Sequence, residues 1–357
     1  MNEKKKDPIV HEVDGLRFHL NTKHDFAWLK RYGEVFSVID ATGSGCVCFG
    51  MDDGQKKRFV KVAGMDTVEA EISPGQSIET LKHAVKLYEE LKHPYLITLL
   101  DAYPVEDGYA AVFDWCEGDC LFEHWNFDRY KNGQTDPRER FKQLPALQKL
   151  AVVDAMFSFL ETVVKKGYVA VDFYDGSLLY DFAKDQIMIC DIDLFQKGPL
   201  TNEIGADYWG TKRLKAPEEY EKGAVIDERT NVFTLGALLL DFFGTYTKEE
   251  VKRRYKDCRV VPCALAQWSL NEQAYAVVCR AVDPAPDKRY STIAAFHRAW
   301  QTAIHNEKSR FLRRKGPFMK QASCFCAFTI GQVVDRVCFG RAERKYRAKL
   351  SADSFFL

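Results

Sequence analysis

The hydrophobic period of this chain changes once, at Gly118, and that change constrains the fold more than any other feature. Ahead of it, residues 35–39, 46–49 and 58–62 read as short strands rich in β-branched and aromatic side chains. Thr42-Gly43-Ser44-Gly45 and Asp52-Asp53-Gly54 separate them, and Asp53-Gly54 is a two-residue hairpin signal. Residues 77–91 show helical spacing, with Ile78, Leu81, Val85, Tyr88 and Leu91 on one stripe, until His93-Pro94 stops the helix. Two further strands are predicted over 95–102 and 110–115. Behind Gly118 the spacing predicts a long amphipathic helix over 144–166, which Gly167 terminates. Short β-like runs with turns at 174–177 and 184–185 follow. From Pro217 the pattern is mostly helical, over 231–243, 249–256, 271–282 and 292–307. A strand-rich front and a helical back make this an α+β chain, with no internal repeat and no low-complexity linker.

At 357 residues, 46% of them hydrophobic, the chain can bury a substantial core. Lys plus Arg balance Asp plus Glu at 51 each, which leaves no global field favouring nucleic acid or an acidic membrane. The tail is an exception: Arg341, Arg344, Lys345, Arg347 and Lys349 face few acids and suit an acidic partner or a solvated helix face. The 11 cysteines are odd in number, and Lys4, Lys5 and Lys6 lead into Asp7-Pro8 instead of an apolar secretory stretch. Reduced thiols and a cytoplasmic location are the simplest reading. Cys324, Cys326 and Cys338 lack the pairing of a metal site, and the apolar run at 324–334 is too short to span a bilayer, so no transmembrane segment is expected.

Three charged residues stand at informative places. Lys61 follows a glycine-containing turn on an apolar strand, Asp172 lies in a turn-rich loop, and Asp191 ends the run Ile187-Met188-Ile189-Cys190. Alone, each is ordinarily a solvated edge or turn residue. Together they match what phosphoryl transfer asks of a protein: a cation for nucleotide phosphates, a carboxylate for magnesium, and a second carboxylate to orient the acceptor hydroxyl.

Residues 30–305 resemble a protein kinase in the order of their segments. Phe59-Val60-Lys61 looks like the strand lysine motif, and Asp172 with Ser177 five residues later looks like the catalytic loop, followed by Leu178-Leu179. Asp191-Ile192-Asp193 stands where the metal-binding triplet belongs, and Gly210-Thr211 through Ala216-Pro217-Glu218 resembles the end of an activation segment. Asn231-Val232-Phe233-Thr234-Leu235-Gly236 is similar to the buried anchoring helix, and Arg289 to the arginine that pairs with Glu218. Val112 through Gly118 looks like the hinge.

The resemblance implies a bilobal fold, with a small antiparallel-sheet N-lobe at 30–116 and a larger, mainly helical C-lobe at 117–305. Extensions at 1–29 and 306–357 flank it. It also implies an ATP- and magnesium-dependent serine/threonine kinase acting on a protein hydroxyl. Lys61 and Asp172 would be catalytic, and Asp191 and Ser177 metal-binding. Gly43, Gly45, Val47, Lys61, Asp114, Cys116 and Leu179 would surround ATP, and Thr211 would favour Ser or Thr acceptors. Ala170-Val171 in place of the usual His-Arg implies no switching by a loop phosphate at Thr201 or Tyr208.

Several residues depart from the pattern. The glycine loop is incomplete, Phe59 replaces a small residue on the lysine's face, Ala84 occupies the position of the helix glutamate that pairs with the lysine, Ser177 replaces asparagine, and Asn231 replaces aspartate. These departures imply the alternative of a pseudokinase scaffold. A small-molecule phosphotransferase of the antibiotic-kinase or choline-kinase sort is a further alternative, resembled by residues 189–193 and opposed by the 210–218 segment.

Overall fold

An Asp-Gly turn joins the first two strands. In the computed structural model, which describes residues 7–123, 135–257 and 259–314, β1 (Ile9–Val13) and β2 (Leu16–Leu20) form a hairpin closed by Asp14-Gly15. Both turn residues have positive φ, 49° and 81°, the turn that Asp-Gly favours because it follows the strand twist. Phe18, Leu20, Phe26 and Leu29 are buried with Val47, Phe49, Val60 and Val62. Residues 9–29, expected to be an extension, thus contribute to a core.

One antiparallel sheet follows: β3 (Glu34–Ile39), β4 (Cys46–Asp52), β5 (Lys57–Ala63), β6 (Leu99–Val105) and β7 (Gly108–Asp114), in the order β3-β4-β5-β7-β6. Side-chain alternation gives it two apolar faces. Val47, Phe49, Val60, Val62 and Val112 meet the hairpin. Cys46, Ala63, Ala111 and Phe113 meet α1 (Pro74–Glu90) through Leu81, Ala84, Val85 and Tyr88. The helix begins three residues before the predicted start because Ser73 and Gln76 form a capping box with Pro74 in the first turn. The β4–β5 connection is four residues long, not two, since Asp52 pairs with Lys57 and the Asp53 carboxylate accepts from the Gln55 and Lys56 amides. The strand predicted from 95 begins at Leu99; residues 95–97 instead bond to Ile189.

Beyond the sheet, α2 (Ala146–Lys165), α3 (Glu228–Phe243), α4 (Lys248–Lys256), α5 (Glu272–Ala281) and α6 (Ile293–Arg314) fall within a residue or a few of their predicted starts. Val153, Phe157, Leu235, Leu239, Val278 and Trp300 belong to the same core cluster as the α1 face of the sheet. Gly236 lets α3 lie against α5: a Cβ there would sit 2.9 Å from both Ala281 Cβ and Val282 Cγ1. Short strands β8 (Asp119–Cys120), β9 (Tyr168–Val169), β10 (Leu178–Asp181) and β11 (Gln186–Ile189) present the loops of interest, with β11, β10 and β8 in one sheet.

The described residues up to Leu312 form one compact unit. The boundary expected at 305 falls inside α6, and the basic tail with Cys324, Cys326 and Cys338 lies outside the described residues. Among the described residues no helix is long and apolar enough to cross a membrane.

Candidate functional site

Strand alternation sets Lys61 on the face shared with Phe59 and Ala63, opposite Val60 and Val62. Its ammonium is 2.5 Å from Asp193 Oδ2 and 3.8 Å from Asp191 Oδ1, with 14% of the side chain exposed. Burial opposes this charge, but the Asp193 and Asp191 carboxylates outweigh it and hold the ammonium well above the usual lysine range. Sequence spacing gave no sign of the Asp193 contact, which joins residues 132 apart.

Asp172 and Asp191 both adopt the left-handed backbone region, with φ of 56° and 53°. Aspartate tolerates it better than most side chains, and such conformations cluster at functional sites. The Tyr174 hydroxyl donates to Asp191 Oδ2 at 3.4 Å, and burial together with the Asp191 and Asp172 charges holds this phenol above its usual range. Asp172 Oδ1 accepts from the Thr211 amide at 2.9 Å and hydroxyl at 3.0 Å. Burial first, and the Asp191 charge second, push Asp172 up to about 7. Lys61 and Asp191 therefore meet although distant along the chain, and the Asp191 charge is felt at Asp172.

Three buried devices hold these loops. Asn231, on α3, accepts from the Ala170 amide and donates to the Ala170 carbonyl, both at 2.9 Å. The amide uses a donor that a carboxylate lacks. Asn231→Asp is accordingly expected to lower stability by about 1–3 kcal/mol, the cost of leaving a buried carbonyl without its donor; a denaturant titration matching wild type would contradict this. Arg289 binds Glu218 through two bonds of 2.6 and 2.8 Å, as the motif order implied. Arg213 bonds to Asp175, three residues past Asp172, and to Asp241 at 2.9 Å, while Arg254 bonds to the other Asp241 oxygen at 2.8 Å.

The residues expected around a nucleotide do not all gather. Phe59, Cys116 and Leu179 are half-buried and pack on the core cluster that contains Ala63 and Ala111. Asp114 ends β7 and pairs with Lys56 at 2.6 Å. Val47 is a correction: it is fully buried among Phe49, Val60 and Val62, on the sheet face opposite Lys61. Cys46 and Cys48 take the lysine's side of β4, since a one-residue change of register exchanges faces. Gly43 and Gly45 lie in a loop pinned from below, where their carbonyls accept from the Glu71 and Met65 amides. Ser177, expected as a metal ligand, is fully buried. Its hydroxyl accepts from the Tyr174 amide at 3.4 Å and its carbonyl from Cys190, so it braces the loop instead. Thr201 is exposed, whereas Tyr208 is buried with Val169, Val171 and Ile226. Replacing Tyr208 by Ala would therefore act through packing, contrary to the neutral outcome expected of a loop residue.

Among the described residues no group of three or more His, Cys, Asp or Glu side chains is arranged to hold a metal by itself. Magnesium does not require one: it keeps several waters and takes one or two carboxylates plus substrate phosphates. The donor set of Asp191 beside Lys61, with Asp172 nearby, fits that demand.

No protein-family model matches the chain. A receptor-like serine/threonine-protein kinase SD1-8 of Arabidopsis thaliana is 21% identical over 196 residues, which is 54% of this chain and 22% of that protein. The chain thus spans about a fifth of the length of this relative. The likeness is distant and points to a kinase-like relationship over that half of the chain. The mixed α+β architecture, with small antiparallel sheets and helices, is compatible with it.

Proposed function

We propose that this chain is a two-lobed, kinase-like phosphotransferase that uses ATP and magnesium to phosphorylate a Ser or Thr hydroxyl of a protein. The observation that carries the reading is the meeting of Lys61 with Asp191 at 3.8 Å, and the Asp191 charge also helps raise Asp172. Lys61 would grip nucleotide phosphates and Asp191 would hold the magnesium, which supplies charge neutralisation on the transferring group when bound. Asp172 would orient the acceptor hydroxyl and take its proton. The Thr211 bonds to Asp172 tie the 210–218 segment to this carboxylate, which supports a peptide acceptor over a small molecule.

The reading carries a pH dependence. Asp172, raised to about 7, accepts a proton only when ionised, so kcat/KM should rise through neutrality and level off above pH 8. The same shift has a stability sign. Between the ordinary carboxylate range and about 7, the folded state holds a proton that the unfolded state has released, so this group's contribution falls as pH rises across that window. A pH–rate profile flat from 6 to 8 would contradict the assignment.

A second reading, a pseudokinase module, is favoured by Phe59 on the face of Lys61 and by the capture of that ammonium by Asp193. Incubation with labelled ATP, magnesium and a generic basic protein separates the two. Label on Ser or Thr supports the enzyme; no transfer and no nucleotide-induced rise in Tm supports the module.

A further inference from the structure

The α1 helix contributes no acid to Lys61. Ala84 is wholly buried in the core between α1 and the sheet, Glu79 is spent on Lys82 at 2.9 Å, and Glu90 accepts from the Tyr168 hydroxyl at 2.7 Å. Instead, α1 docks through His83, whose Nε2 donates to the Phe195 carbonyl at 2.8 Å. Phe195 lies two residues beyond Asp193, the nearest carboxylate to Lys61. One short segment, 191–195, therefore receives both the lysine of β5 and His83 of α1.

We infer that Asp193 is a positioning residue that orients Lys61 from the 191–195 segment, in the place of an acid on α1. The inference rests on the kinase-like reading of the site and extends it. Its physical content is that a flexible four-carbon side chain is fixed by a buried carboxylate on the same segment as Asp191, which would hold the magnesium. Lysine orientation then follows the 191–195 segment and does not depend on a rotation of α1. A mispositioned ammonium costs rate more than ground-state binding, because only correct geometry serves the transferring group.

The test compares wild type, Asp193→Asn and Asp193→Glu as full chains. In the nucleotide-free proteins, acylation of Lys61 by an amine-reactive succinimidyl ester is followed by peptide mass spectrometry. Loss of the 2.5 Å contact with Asp193 should free the Lys61 amine and speed its acylation several-fold in Asp193→Asn. Asp193→Glu, which keeps the charge, should stay nearer wild type and serves if the asparagine variant folds poorly. With ATP and magnesium, Asp193→Asn should lose about 10–100-fold in kcat with little change in KM, and Asp193→Glu should recover part of it. Unchanged acylation and kcat in Asp193→Asn, with wild type binding and transferring normally, overturns the positioning role alone. Tighter nucleotide binding with undiminished transfer in Asp193→Asn also overturns it, since Asp193 would then be a plug. A wild type that neither binds nucleotide nor transfers phosphate overturns the kinase-like reading and this inference with it.

Discussion

Asp172→Ala should lower phosphoryl transfer at least about 100-fold while leaving nucleotide affinity within a few-fold of wild type. The carboxylate touches Thr211, not Lys61, and its raised pKa comes from burial and from Asp191. In the proposed function it would serve the acceptor, whereas Lys61 and Asp191 would serve the nucleotide. Removing it also frees the Thr211 amide and hydroxyl, so a modest change in Tm is expected through the 210–218 segment. Asp172→Asn separates the effects: it keeps an oxygen for Thr211 and loses the proton acceptor. Comparable losses of transfer in both variants, at near wild-type Tm for the asparagine, would assign the effect to proton acceptance. Full transfer by Asp172→Asn would remove Asp172 from the chemistry.

The largest stability effect is expected from Arg213→Ala. This guanidinium, 4% exposed, lies between Asp175, 1% exposed, and Asp241. Asp241 retains Arg254 at 2.8 Å, and together the two arginines offset its burial and hold its carboxyl below the usual range. Among the described residues Asp175 retains only Arg138, at 3.9 Å, and burial already pushes its carboxyl up. Removing one partner of a buried pair typically costs about 3–5 kcal/mol, a fall in Tm of about 4–7 °C for a chain of this size. Since the charge left behind is the main cost, Arg213→Met with Asp175→Leu should be less destabilised than Arg213→Ala alone. Guanidinium titrations of the two variants decide this; equal losses would mean that the network stabilises by packing.

Much of this architecture was legible in the sequence because it depends on local period. Strand β5 and helices α2, α3 and α5 follow their apolar spacing closely, and Gly167 ends α2 with φ of 76° as its type demands. The segment order that pointed to Asp172, Asp191, Glu218 and Arg289 is carried by short motifs, and of these the Arg289–Glu218 pair forms as expected. Two misses had visible signals: Asp14-Gly15 between alternating five-residue runs marks a hairpin, and Ser73-Pro74 with Gln76 marks the start of a helix. Others had none. Val47 faces the hairpin core because it pairs with Val62 and not with Lys61, and a single-residue register step moves every side chain of a strand to the other face. Asp193 holds Lys61 through a contact set by tertiary packing alone, which no local spacing encodes.

Titration calorimetry of ATP with and without magnesium, on wild type, Lys61→Ala and Asp191→Ala, tests the convergence of this site most directly. Binding that strengthens with magnesium in wild type, weakens in Lys61→Ala and loses its magnesium dependence in Asp191→Ala is the predicted result. Equal heats from all three proteins, or none from wild type in either condition, would contradict it.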